Sequence, residues 1–135
     1  MDSWQNLKTS TIGRRDVDAT FLQTWTFPST ITRGANLNNA VAMRNDGYQP
    51  WDTNTVCLAG WLEYADGSAV AGTMSGLGTI SAATRMGEQC TSSIQVPAGW
   101  PIGSYYLHIE PLFSQTGYWF SSFGDKGTRI PVTVN

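Results

Sequence analysis

The sequence predicts an all-β chain folded as an antiparallel sandwich, and three observations lead there. Apolar and polar residues alternate with a period of two through most of the 135 residues. Clusters of Gly, Pro, Asn and Asp interrupt the alternation at roughly 8 to 12 residue intervals, the spacing of short strands joined by turns. No stretch carries the 3.6-residue apolar period of an amphipathic helix.

In chain order, residues 1–18 lack periodicity and bring Arg14, Arg15, Asp16 and Asp18 together. They read as an N-terminal arm, disordered alone or ordered against a partner, ahead of a sandwich domain over residues 19–135. Ala19 to Phe27 is rich in β-formers, with Phe21, Trp25 and Phe27 on one parity, and Pro28 ends it. A loop around Gly34 leads to a strand from Asn38 to Asn45 with Val41 and Met43 inward.

The stretch Thr55 to Val70 is the clearest strand signal. Val56, Leu58, Leu62 and Tyr64 share one parity; Cys57, Ala59, Trp61 and Glu63 share the other. Asp66-Gly67 then supplies residues that tolerate the positive φ of a two-residue hairpin turn, and a second strand is expected to follow.

The Gly-rich run from Ala71 to Thr84 offers little to bury and is expected along a sheet edge or a long loop. Its glycines lack the Lys-Ser/Thr of a phosphate loop. Glu88 to Val96 alternates again, with Cys90, Ser92, Ile94 and Val96 on one face. Pro97 to Gly103 is a corner. Tyr105 to Phe113 places Tyr105, Leu107 and Ile109 inside; Tyr118 to Phe123 returns; Thr128 to Val134 ends the chain with Ile130, Val132 and Val134 inward. Pro131, which has no N–H to give a ladder, marks that last strand as an edge.

Charged residues are 13% of the chain, against roughly 25% in a typical soluble domain. Sixteen Thr, twelve Ser and fourteen Gly stand in their place, with only Lys8 and Lys126 as lysines. Such a surface packs against other molecules with little charge to desolvate. A net charge of −2 argues against nucleic-acid binding, which draws its affinity from phosphate neutralisation. No apolar run approaches the roughly 20 residues that span a bilayer. The N-terminus has no apolar signal core. A chain starting naturally at Met1 is therefore expected in a cytoplasm or within an assembly such as a virion, and a fragment of a longer protein is expected outside the cell.

Cys57 and Cys90 are the only cysteines. Two readings stand: buried thiols acting as small hydrophobes, or a disulfide between the strands, which needs an oxidising compartment. Neither cofactor nor metal is expected. Asp52 to Thr55 offers oxygen ligands, but Asp and Asn there suit a turn. His108 shares a parity with Tyr106 and Glu110, a potential acid/base face that reads better as solvated or interface-facing. The Gly-x-Ser-x-Gly elbow of a serine hydrolase is absent, and catalysis is the least expected class.

The aromatics divide into two groups. Trp25, Trp61 and Trp119 are expected to fill the core. Tyr48 and Trp51 lie in a loop and Trp100 at a corner, positions that suit end plugs or a binding surface equally.

Asn45-Asp46-Gly47 followed by Trp51, the Asp66-Gly67 hairpin, Gly87 before a strand, Val96-Pro97, Pro101, Gly103-Ser104-Tyr105 and Gly117-Tyr118-Trp119-Phe120 occur in this order. The pattern resembles immunoglobulin-like β-sandwich modules, such as those appended to carbohydrate-active enzymes or the four-tryptophan domains of adaptor proteins. It spans residues 19–134 and leaves the arm unmatched. The resemblance implies an antiparallel immunoglobulin-like β-sandwich of seven or eight strands with an N-terminal arm. It also implies binding of partners or orientation of neighbouring domains, and it brings no set of functional residues.

The expectation from sequence is thus a non-catalytic structural or assembly protein. Its partners are proteins, in a homo-oligomer or a larger array such as a virion decoration or an appendage. The alternative is a carbohydrate-binding accessory module using exposed aromatics. Candidate binding residues are Tyr48, Trp51, Trp100, Arg14 and Arg15.

Overall fold

The computed structural model describes residues 17–22, 27–124 and 127–135. Within them the period-two pattern becomes nine strands: β1 (Ala19–Phe21), β2 (Thr30–Ile31), β3 (Asn36–Asn45), β4 (Val56–Glu63), β5 (Ser75–Thr79), β6 (Gln89–Gln95), β7 (Gly103–Phe113), β8 (Tyr118–Trp119) and β9 (Thr128–Val134). A single 3₁₀ turn, Phe120–Phe123, separates the last two. The chain is all-β and its strands form two sheets, as a β-sandwich does. One sheet has the order β1-β3-β6; the other runs β2-β9-β7-β4-β5, with β8 added to β7. The larger sheet is curled into half a barrel.

The inward parities expected for β3, β4, β6, β7 and β9 meet in one core. Met43, Leu58, Leu62, Ile94, Leu107 and Ile109 are all buried there. Burying each such side chain contributes roughly 1.5–3 kcal/mol, so this row alone outweighs any single polar contact. Val17 is buried, and Asp18 accepts the Asp46 N–H at 3.1 Å, so both residues pack on the sandwich although the sequence places them in the arm.

Three elements differ from expectation. The loop after Pro28 contains β2, which pairs in parallel with the end of β9. Pro131 lies just before that pairing and has a strand neighbour only at Tyr106 of β7, as its missing donor requires. The Asp66-Gly67 hairpin closes through a three-residue loop rather than two. Gly67 alone takes positive φ (90°), and its N–H donates to Tyr64 O at 2.9 Å. Asp66 accepts both the N–H and the hydroxyl of Ser68, and this Asx turn keeps its φ negative. The return arm is then a single bridge, Glu63 to Ala69. Finally, Tyr118 to Phe123 is a strand for two residues only, because Phe120 turns inward and is fully buried.

The Gly-rich run forms β5, the edge of the larger sheet, and joins it to the smaller one. Ile80 bridges Ser92 of β6, and Ser81 donates to Thr91 O at 2.8 Å. The strands approach so closely that a Cβ on Gly78 would lie 2.0 Å from Ser93 O.

β7 fixes the two ends of the molecule. Its ten residue steps carry the chain about 33 Å from Gly103 to Phe113. Val56 opposes Phe113 and Glu63 opposes Tyr106, so the loop before β4 lies at the Phe113 end and Tyr64 lies at the Gly103 end.

Candidate functional site

The residues singled out from sequence separate by burial. Trp51 and Trp100 are 1% and 2% exposed, so neither offers a ring face to a ligand; both plug the sandwich. Tyr48 is 56% exposed. Asn45 sets this arrangement. It is fully buried, donates from Nδ2 to Gln49 O and Thr84 O at 3.0 Å each, and accepts the Gly47 N–H at 2.9 Å. These bonds hold the loop that carries Tyr48 out and Trp51 in. Arg14 and Arg15 lie outside the described residues.

Cys57 and Cys90 are free thiols, not a disulfide. Parity explains this: Cys57 lies on the outer face of β4, whereas Cys90 points into the core from β6 of the other sheet. Burial pushes both thiols up from their ordinary value. Asp52 makes the expected turn, with Oδ1 accepting the Asn54 N–H at 2.8 Å. Among the described residues no three His, Cys, Asp or Glu side chains gather as metal ligands.

The densest polar chemistry lies on the outer face of the larger sheet. Register places Trp61 of β4 opposite His108 of β7, and His108 opposite Arg129 of β9. The parity that buries Leu62 and Leu107 therefore turns Trp61, Glu63, Tyr106, His108, Glu110 and Arg129 to the other side. Of Trp25, Trp61 and Trp119, expected to fill the core, Trp25 lies outside the described residues and the other two are corrected. Both are half-buried on the outer face, with ring centres 5.6 Å apart in an edge-on contact.

Every carboxylate oxygen in this cluster has a partner. Glu63 Oε1 accepts from Arg129 Nε at 2.8 Å, and its Oε2 from Trp61 Nε1 at 2.9 Å. Glu110 Oε1 and His108 Nε2 are 3.0 Å apart, and Glu110 Oε2 accepts the Ser121 N–H at 2.8 Å. His108 Nδ1 lies 3.9 Å from Glu63 Oε2, an ion-pair distance when the imidazole is charged. Glu63 and Glu110 are 8% and 2% exposed. Arg129 also donates to Tyr64 O at 3.0 Å and places Cζ 3.7 Å from the Tyr106 ring centre. The cluster clamps β4, β7, β9 and the 3₁₀ turn together.

The two ends carry most of the exposed apolar surface. At the Phe113 end, a groove of about 470 Å³ is lined by Val17, Pro50, Phe113, Tyr118 and Phe123 together with polar neighbours including Asp52. Tyr118 and Phe123 remain 61% and 42% exposed. At the Gly103 end, Ile102 projects from the corner at 64% exposure beside Tyr105, whose hydroxyl donates to Ile102 O at 3.2 Å. Tyr64 (51% exposed) lies 6.2 Å from the Tyr105 ring. Sequence reasoning passed over Ile102, Phe123 and Arg129. The signal for Ile102 was its place between Pro101 and Gly103, where no strand parity can bury it.

Compared with known proteins, the chain matches no family model and no curated protein sequence.

Proposed function

We propose that this chain is a non-catalytic structural or assembly protein that docks onto a larger protein array, with the N-terminal arm ahead of Val17 reaching to a neighbour. The observation that carries this reading is the placement of large apolar side chains on the surface: Tyr48, Tyr64, Ile102, Tyr118 and Phe123 are each more than two-fifths exposed. Exposed apolar side chains at both ends of the sandwich, with charge sparse and lysine nearly absent, suit protein contact.

Two further points support it. The outer-face acids hold the sheet together, Glu63 accepting from Trp61 and Arg129 and Glu110 from the Ser121 N–H, which suits a structural role. Val17, the first residue described, lines the groove at the Phe113 end, so the point at which the proposed arm joins the domain lies beside that surface. In fold, we read the domain as an immunoglobulin-like sandwich. The reading is supported by the β1-β3-β6 sheet facing a sheet with β4, β7 and β9 adjacent, and by the parallel contact of β2 with β9 at its edge.

The test is deletion of residues 1–16. The truncated chain should unfold at the same temperature as the parent and lose association with its assembly partners. A truncated chain that associates as the parent does would refute the role given to the arm.

A further inference from the structure

A second surface lies where the two sheets meet, and its chemistry does not depend on the assembly reading. We infer that the groove between β5 and the bulged part of β3 binds a neutral saccharide, with Asn36, Asn39 and Gln95 reading its hydroxyls.

The groove arises from an irregularity in β3. Leu37 opposes Ile94 of β6 and Val41 opposes Ser92, so Asn38, Asn39 and Ala40 together face Ser93 alone. A bulge of this kind re-aims side chains. Asn39 takes φ 51° there, in the left-handed region that Asn tolerates better than most residues with a side chain. Its N–H donates to Ser93 Oγ at 3.2 Å. On the other side, Gly78 lets β5 close against Ser93. The groove measures about 350 Å³, at the lower end of the roughly 300–1,000 Å³ of ligand pockets. Its polar lining is three amides, Asn36, Asn39 and Gln95, and three hydroxyls, Thr79, Ser81 and Ser93.

Each amide is fixed through one of its polar atoms and offers the other. Asn36 Nδ2 donates to Asn38 Oδ1 at 2.9 Å and Gln95 Nε2 to Gly34 O at 3.0 Å, which leaves Oδ1 and Oε1 as acceptors. Asn39 Oδ1 accepts from the Thr91 hydroxyl at 3.0 Å, which leaves Nδ2 as a donor. A sugar hydroxyl both donates and accepts, so acceptors and a donor held side by side match adjacent hydroxyls. Side chains already fixed by one bond lose little freedom when a ligand takes the other.

The other ligand classes fit less well. No charged side chain lines the groove; of the charges near it in sequence, Arg33 donates to Asn135 O at 3.3 Å and Arg44 pairs with Asp46 at 2.6 Å. An ion therefore meets no countercharge. An added peptide strand needs an open backbone edge. β6 pairs with β3 along one edge and bridges Ile80 along the other, where the Ser81 N–H donates to Thr91 O, so side chains rather than backbone are on offer.

The experiment is a titration of the isotope-labelled full chain, followed by its NMR amide signals, with cellobiose, maltose and lactose as separate probes. An uncharged pentapeptide of Ser and Asn, and inorganic phosphate, serve as comparisons. At least one disaccharide is expected to give saturable shifts centred on Asn36, Asn39, Ser81, Ser93 and Gln95. A Kd of about 1–10 mM is expected, since hydrogen bonds carry the binding without a stacked ring. Asn39→Gly suits the positive φ and removes the amide, and Asn36→Ala removes an exposed one. Both variants should keep the parental spectrum away from the groove and bind about tenfold more weakly. No saturable shift with any of the disaccharides up to about 50 mM overturns the site. It is equally overturned by larger shifts from the pentapeptide or phosphate than from the sugars, by sugar shifts centred on Tyr48 or Tyr118, or by variants that bind as the parent does.

Discussion

The indole of Trp61 lies stacked on the imidazole of His108, ring centres 4.2 Å apart and planes 20° apart. Two acids enclose the stack: Glu63 accepts from the indole N–H, and Glu110 pairs with the imidazole. The arrangement converts the outer face of a sheet, ordinarily wet, into a partly desolvated layer.

A buried acid with two partners is costly to remove, because each partner is left without an acceptor. Glu110→Ala should destabilise the protein by about 3 kcal/mol, the order seen when one member of a buried pair is lost. Glu110→Gln keeps an acceptor for the Ser121 N–H and should cost about half as much. Urea unfolding of the two variants checks this; equal losses would mean that packing alone holds the position.

The two plugging tryptophans should answer the same substitution differently. Trp100 Nε1 donates to Thr73 O at 2.8 Å, whereas Trp51 Nε1 has no partner among the described residues. Trp100→Phe leaves a buried carbonyl without its donor; Trp51→Phe removes an unpaired buried donor. Trp100→Phe is expected to be the more destabilising by about 1–2 kcal/mol, read from thermal or chemical melts.

At the join between the sheets, Gly78→Ala forces a Cβ against Ser93 O and should lower stability by several kcal/mol or prevent folding. Gly76→Ala, two residues away with open space around its Cβ, should change stability by less than about 0.5 kcal/mol. Comparable losses at both positions would contradict the close approach of β5 to β6.

The strands were legible in the sequence wherever one face was buried and the other wet. Val56, Leu58 and Leu62 show this, because burial on one parity leaves a direct trace in residue type. Parity also separated Trp61 from the core, yet its aromatic character pointed inward; register against His108 decided the matter, and register is a relation between strands that no single segment records. The same holds for Arg129, which finds Glu63 sixty-six residues away. The short β2 strand exists only because β9 lies beside it. Cys57 and Cys90 already differed in parity, Cys57 opposite to Val56 and Leu58 and Cys90 on the face of Ile94, and the structure places the first on an outer face and the second in the core.

Those thiols give a pH prediction. Burial raises both, so the folded state holds their protons more tightly than the unfolded state. Their contribution to stability is complete below the ordinary thiol value of 9.0 and is lost as pH rises past it toward the folded values. Thiol titration of the folded chain at pH 8 should be slower than that of the unfolded chain, with half-exposed Cys57 reacting before buried Cys90. Cys57→Ser and Cys90→Ser variants, titrated singly, identify each phase.

Sedimentation velocity of the full 135-residue chain over a hundredfold range of concentration tests assembly most directly. The account predicts a sedimentation coefficient that rises with concentration, and a chain lacking residues 1–16 that remains at the monomer value. A parent chain that sediments as a monomer throughout would contradict self-assembly.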